Sequence, residues 1–190
     1  MFRNVAVVII FSLSLYCLAE DLVISTKGHQ CSIHTSCVSC ISETGCKWCV
    51  AQGVCTKRSC GDDNEIYPKN TRPNVPGPDF CPRIAETTEL IFASGQKERV
   101  TIKITRIFLY MANTPWKCKI NLNGKDVIIP AVLLADIVYC ERFEMKNESE
   151  NPYIEGTVKV LWNSTRAFDG SLPFKICRCD LESNCVACQN

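Results

Sequence analysis

Fifteen cysteines in 190 residues are the groups of this chain with most chemistry to offer. Seven follow one another as Cys31-x5-Cys37-x2-Cys40-x5-Cys46-x2-Cys49-x5-Cys55-x4-Cys60, and Cys81 closes the set after a polar loop. Thiols so spaced could ligate zinc, exchange electrons or form structural cystines. The Cys37/Cys40 and Cys46/Cys49 pairs have the spacing of zinc ligands, but the excursion between them is shorter than a zinc ribbon needs. A redox role for Cys46-Lys47-Trp48-Cys49 would need a helix N-terminus to stabilise a thiolate, and no strand-to-helix pattern supplies one. Oxidised structural cystines are the best account. No metal or other cofactor is expected.

Cystines need an oxidising compartment, and the N-terminus reads as a route to one. Residues 1–19 carry one basic side chain, Arg3, then an apolar stretch from Val5 to Leu18 and small residues at Cys17-Leu18-Ala19. This is the layout of a signal peptide cleaved after Ala19, too short for a membrane span. Removing Cys17 with the leader leaves an even count of 14 cysteines. Downstream, the longest apolar stretch, Val127 to Tyr139, is interrupted by Pro130 and Asp136, so no membrane span is expected in this chain. No hydrophobic tail for a lipid anchor follows. Two N-glycosylation sequons, Asn147-Glu148-Ser149 and Asn163-Ser164-Thr165, agree with a secreted, extracellular chain. Asn147 is expected in polar surroundings and Asn163 at a strand end.

Charge and residue types exclude several functions. Lys and Arg number 21 against 20 Asp and Glu, a net charge of +1 with no long basic run, so a nucleic-acid partner is not expected. The two histidines, His29 and His34, are expected at the surface. No nucleophile elbow, phosphate-binding glycine loop or metal-ligand cluster is present, so no catalytic residues are assigned. Glu148, Glu150 and Glu155 read as a solvated acidic patch.

The elements that position the cysteines divide near Cys81. The first module, residues 29–82, has little apolar material besides Ile33, Val38, Ile41, Trp48, Val50, Val54 and Ile66. So small a core needs covalent staples, with Trp48 at its centre. The loop from Gly61 to Phe80, rich in Pro, Asn and Asp, reads as an exposed excursion. The second module, residues 83–178, has a β pattern. Val100, Ile102 and Ile104 alternate with Thr101, Lys103 and Thr105, and Asn123-Gly124 between two apolar runs signals a hairpin. Further strands are expected at Thr157–Trp162 and Phe174–Ile176, with a turn at Asp169-Gly170 and no helix. The expected fold is a two-sheet sandwich. The simplest pairing is a single bridge between Cys118 and Cys140, whose separation is too short for an antibody-type inter-sheet span. Trp116 and Trp162 are expected in the core or at a strand edge.

The first module resembles a PSI domain, the cysteine-rich knot of plexins, semaphorins and integrins. The resemblance rests on its eight cysteines, on Gly45-Cys46-Lys47-Trp48-Cys49 and on Gly53-Val54-Cys55. It implies the pairs Cys31–Cys46, Cys37–Cys81, Cys40–Cys55 and Cys49–Cys60. The second module resembles the immunoglobulin-like IPT (or TIG) domain of plexins through Cys81-Pro82-Arg83-Ile84, Trp116-Lys117-Cys118, Val138-Tyr139-Cys140 and the strand Gly156 to Trp162. Residues 179–190 repeat the opening of the first module, Cys179-x5-Cys185-x2-Cys188, and look like the truncated start of a second PSI domain. On that reading Cys179, Cys185 and Cys188 lack their partners and Cys177 is unassigned; a clasp among the four is the alternative.

The resemblance implies a non-catalytic extracellular stalk or spacer of a semaphorin-receptor-like protein, with an extracellular protein partner in the semaphorin and plexin pathway. The reading expects a departure from the plexin pattern: a leader running almost directly into the knot, with no propeller domain and no transmembrane or cytoplasmic part expected in this chain. A free-standing secreted PSI–IPT binding protein or decoy is the second reading, and a small secreted inhibitor-like scaffold the third.

Overall fold

The computed structural model describes residues 31–61, 64–69, 71, 75–105 and 107–189; the expected leader and His29 lie outside them. Two compact units divide the chain, Met1–Pro78 and Asp79–Asn190.

In the first unit a single helical turn, α1 (Cys37–Ile41), precedes three short strands, β1 (Lys47–Cys49), β2 (Val54–Thr56) and β3 (Glu65–Ile66). Ser36 starts the helix: it is extended, and its hydroxyl oxygen accepts the Ser39 N–H at 3.2 Å. Helical spacing then turns Cys37, Cys40 and Ile41 to one buried face, which explains the x2 gap between the two cysteines. The sheet runs β2-β1-β3, with Trp48 opposite Cys55 on one side and Ile66 on the other. Trp48 is buried at this centre. The Gly61–Phe80 loop is not wholly an exposed excursion. It dips inward at β3, where Ile66 is 1% and Glu65 9% exposed, because the far edge of β1 and the Trp48 ring need covering.

The second unit contains β4 (Arg83–Ile84), β5 (Leu90–Ala93), β6 (Gln96–Glu98), β7 (Thr101–Thr105), α2 (Leu109–Ala112), β8 (Trp116–Leu122), β9 (Lys125–Leu134), β10 (Ile137–Cys140), β11 (Phe143–Met145), β12 (Tyr153–Trp162), β13 (Arg166–Ala167) and β14 (Leu172–Cys177). Hydrogen bonding joins most of them in the order β4-β7-β10-β9-β8-β12-β14-β5, with β13 on β12 and a separate β6–β11 ribbon. The β5–β14 pair is parallel and the others are antiparallel. The β8–β9 hairpin turns at Asn123 and Gly124, both at positive φ (50° and 76°), as the twist of a two-residue hairpin demands.

This ladder is continuous, yet it is folded into two layers, and one bridge locates the fold line. Strands flanking a common neighbour in a flat sheet lie about 9.6 Å apart. Cys118 on β8 and Cys140 on β10 flank β9, and their Cα atoms are 5.7 Å apart. The sheet must therefore turn sharply at β9. The register shows how: β9 pairs with β8 through Lys125–Ala131 and with β10 through Ala131–Leu134, so that Ala131 alone serves both. Pro130, which has no N–H to give, stands beside this handover. A strand that switches sheets at a bend is a known way to make a sandwich corner. The short Cys118–Cys140 separation thus ties strands of the two layers after all, because the corner brings them together.

Alternate side chains of both layers fill the space between. Ile102, Ile104 and Val138 come from one side, and Trp116, Ile120, Val158, Val160, Phe174 and Ile176 from the other, all buried. Phe92 meets Phe174 edge-on at 6.1 Å, and Trp116 packs on Phe168 at 5.6 Å. The one-turn helix α2, absent from the sequence reading, has a specific use: the Met111 carbonyl accepts the buried Trp116 Nε1–H at 3.1 Å. Gly156, inside β12, makes room for Phe174. A Cβ there would lie 2.3 Å from Phe174 Cζ and 2.7 Å from the Asn121 carbonyl oxygen. Gly156→Ala is expected to destabilise the second unit by about 2 kcal/mol through forced repacking; equilibrium denaturation followed by tryptophan fluorescence measures it.

Candidate functional site

The knot is built around sulfur. Cys31–Cys46, Cys40–Cys55 and Cys49–Cys60 are bridged, closing loops of 15, 15 and 11 residues. Cys37 and Cys81 are also disulfide-bonded, and both are buried. Constraining the unfolded chain by loops of these lengths stabilises by roughly 3 kcal/mol each. The Cys31, Cys46 and Cys55 sulfurs lie within 4.8 Å of one another, a grouping that could resemble a metal site. Each is already committed to a cystine and has no thiolate to offer.

One buried charge completes the knot, and the sequence reading did not single it out. Glu65 on β3 accepts hydrogen bonds from the Cys60 N–H at 2.6 Å, from Ser59 Oγ at 3.2 Å and from Tyr67 Oη. Lys47 Nζ, on β1, pairs with it at 2.9 Å. Burial disfavours the ionised carboxylate, but the bonds from Tyr67, Cys60 and Lys47 outweigh it and hold the pKa at about 2. Only folding brings these four donors together, so a lone acid in a polar loop gave no signal of it.

In the second unit the two sequons have opposite settings. Asn147, expected in polar surroundings, is 5% exposed. Its Nδ2 donates to the Asn151 carbonyl at 3.0 Å, and its Oδ1 accepts the Ser149 N–H at 3.0 Å and hydroxyl at 2.7 Å. The side chain is buried because it takes up the polar backbone groups of its own loop. Asn163 is exposed, at φ 46° just beyond the end of β12. Of the acidic residues, Glu148, Glu150 and Glu155 are exposed, and Glu148 pairs with Lys146 at 2.5 Å. His34 is half-buried rather than at the surface. Trp116 and Trp162 are both buried.

In the tail, Cys177 pairs with Cys185 and Cys179 with Cys188, the clasp that the sequence reading holds as its alternative. Arg178 holds the clasp to the sandwich: its N–H donates to the Pro152 carbonyl and its Nη1 to the Ser149 carbonyl, each at 2.8 Å. Asp180 receives the other side of the guanidinium.

One surface stands apart in character. Beyond the corner, β9 turns Val132 (67% exposed) and Leu134 (66%) outward, in line with Ile128 (53%). Val132 and Leu134, with Pro130 and Tyr139, line an open cleft of about 680 Å³ that Arg99 and Glu141 also border. The apolar stretch from Val127 to Tyr139 is thus largely surface: no residue of β9 is buried, and from Ile129 onward half-buried and exposed residues alternate. Among the described residues no helix is long and apolar enough to cross a membrane.

The Glu65 site makes a pH prediction. Its folded pKa is depressed, so its contribution is complete above the unfolded value near 4.5 and is lost as pH falls towards 2. The difference corresponds to about 3 kcal/mol. Denaturation of the first unit between pH 5 and 2 is expected to show this loss, and Glu65→Gln to flatten it.

Comparison with known proteins places these features. Residues 30–74 match the plexin repeat, PSI, and residues 88–176 match the TIG domain found in plexin. Mouse Plexin-A4 is 24% identical over 152 residues and human Plexin-A4 is 23% identical over 154. Each match covers 78% of this chain but 8% of the relative's length. Among solved structures, the full extracellular region of plexin A4, domains 1 to 8, superposes with a TM-score of 0.61 at 22% identity, covering 77% of this chain and 16% of that one. PSI and TIG domains are non-catalytic modules. The chain therefore carries a plexin-like PSI domain followed by a plexin TIG domain, and plexin-A4 is a distant homologue.

Proposed function

We propose that this chain is secreted and works outside the cell as a non-catalytic stalk or spacer of the plexin type. The observation that carries the reading is a plexin PSI domain followed by a plexin TIG domain, each with its own cystines. Cystines on this scale belong to an oxidising compartment. Rigid units stapled in this way hold their shape with little ordering cost, which is what a spacer needs. Replacing the matching stretch of the mouse Plexin-A4 extracellular region by this chain tests the reading. The chimera is expected to be secreted with the solution scattering profile of the parent. An aggregated chimera, or one with a changed profile, contradicts the spacer role.

A binding role is the second reading, favoured by the exposed strip Ile128, Val132 and Leu134. An apolar centre with a charged rim is the anatomy of a protein contact. The partner is taken to be an extracellular protein of the semaphorin and plexin pathway. Binding to immobilised plexin A4 extracellular region is expected to weaken at least tenfold in Val132→Lys/Leu134→Lys with unchanged thermal stability. Equal binding by this variant contradicts the reading.

A further inference from the structure

The two sequons are equivalent as triplets and different as structures. Asn163-Ser164-Thr165 is the entire connection of a hairpin, since Trp162 pairs with Arg166 and Leu161 with Ala167. Asn163 and Ser164 both take positive φ, 46° and 68°. This tight turn leaves Asn163 and Thr165 exposed, while the Ser164 N–H is anchored to the Pro115 carbonyl at 3.3 Å. No hydrogen bond engages the Asn163 amide among the described residues. Here a large substituent on Nδ2 would meet solvent and displace no contact.

At Asn147 the same substituent would remove structure. The residue is 5% exposed, its Nδ2 is spent on the Asn151 carbonyl, and its Oδ1 closes two bonds from Ser149. Its own N–H donates to Ser94 Oγ at 2.9 Å, and the Ser149 carbonyl accepts from Arg178 at 2.8 Å. The loop therefore links Ser94, just beyond β5, the Asn147 turn and the tail clasp through a chain of polar contacts. Extracting the side chain would leave several of these groups unpaired.

We propose that Asn163 is the N-glycan site of the folded protein and that Asn147 is a structural asparagine whose sequon stays bare. The inference rests on the extracellular reading above. The reaction is transfer from a polyprenyl-pyrophosphate-linked oligosaccharide. Asn163 Nδ2 bonds to the anomeric carbon and gives up one proton, the anomeric C–O bond breaks, and the polyprenyl pyrophosphate leaves.

The test is the full chain produced in a secreting animal cell line. Purified monomer is treated with peptide N-glycosidase in heavy-oxygen water, and its peptides are mapped by mass spectrometry. The expected result is labelled aspartate at 163 with unmodified asparagine at 147. Thr165→Ala, which keeps Asn163 and destroys the triplet, is expected to remove all glycan and leave secretion in place. Ser149→Ala is expected to leave the glycan unchanged. A glycan on Asn147 of secreted monomer, or a bare Asn163, overturns the proposal. Cystines counted on the same sample separate the causes. Reduced cysteines would mean that the chain never entered the secretory route, whereas intact cystines with the wrong occupancy defeat this inference alone.

Discussion

Cross-linking of the unfolded chain is the constraint on which the N-terminal unit depends. Among its described residues only Ile41, Trp48, Val50 and Ile66 are buried apolar side chains besides the cysteines. Ordering each residue costs about 1–2 kcal/mol of conformational entropy, which four apolar side chains do not offset. The Cys31–Cys46, Cys40–Cys55 and Cys49–Cys60 bridges act on the other side of the balance, by shrinking what the chain gives up on folding. Once they tie α1 to β2 and β1 to Cys60 beyond β2, the polar interior becomes tolerable. Glu65 can be buried as an anion because Cys60, Tyr67 and Lys47 are held where they can solvate it.

The second unit reaches its shape by the opposite route. Its bulk is a hydrophobic core between two layers, and Cys118–Cys140 marks the corner where one layer becomes the other. The chain needs no separate connection there, because β9 serves β8 with its first half and β10 with its second. This division of labour also explains the exposed apolar strip, since Val132 and Leu134 lie on the side of β9 turned away from the core.

What could be read in the sequence was whatever local pattern or covalent spacing determines. Period-two alternation located β7, Asn123-Gly124 located the β8–β9 turn, and the cysteine spacing with the Cys46-Lys47-Trp48-Cys49 string pointed to the PSI resemblance that the PSI and TIG matches support. Features made by tertiary contacts were not legible. Asn147 looked like any polar loop residue until Asn151 and Ser149 closed around it. The burial of Glu65 and the exposure of Val132 and Leu134 gave no signal, because a linear pattern does not say which side of a strand its neighbours leave open. The turn α1 was legible in principle: Ser36 before Cys37, Cys40 and Ile41 is a cap followed by helical spacing. In the tail, the repeated spacing left two readings open, and the four cysteines are paired as a clasp.

Hydrogen exchange on the oxidised and the fully reduced protein addresses the role of the cystines most directly. With cystines intact, the backbone amides of Trp48 and Ile66 should be protected along with those of β8 and β12. After reduction under native conditions, protection at Trp48 and Ile66 should vanish while that of the β8–β12 ladder survives. Persistent protection at Trp48 and Ile66 without any disulfide would contradict the account, for it would mean that packing alone holds the knot.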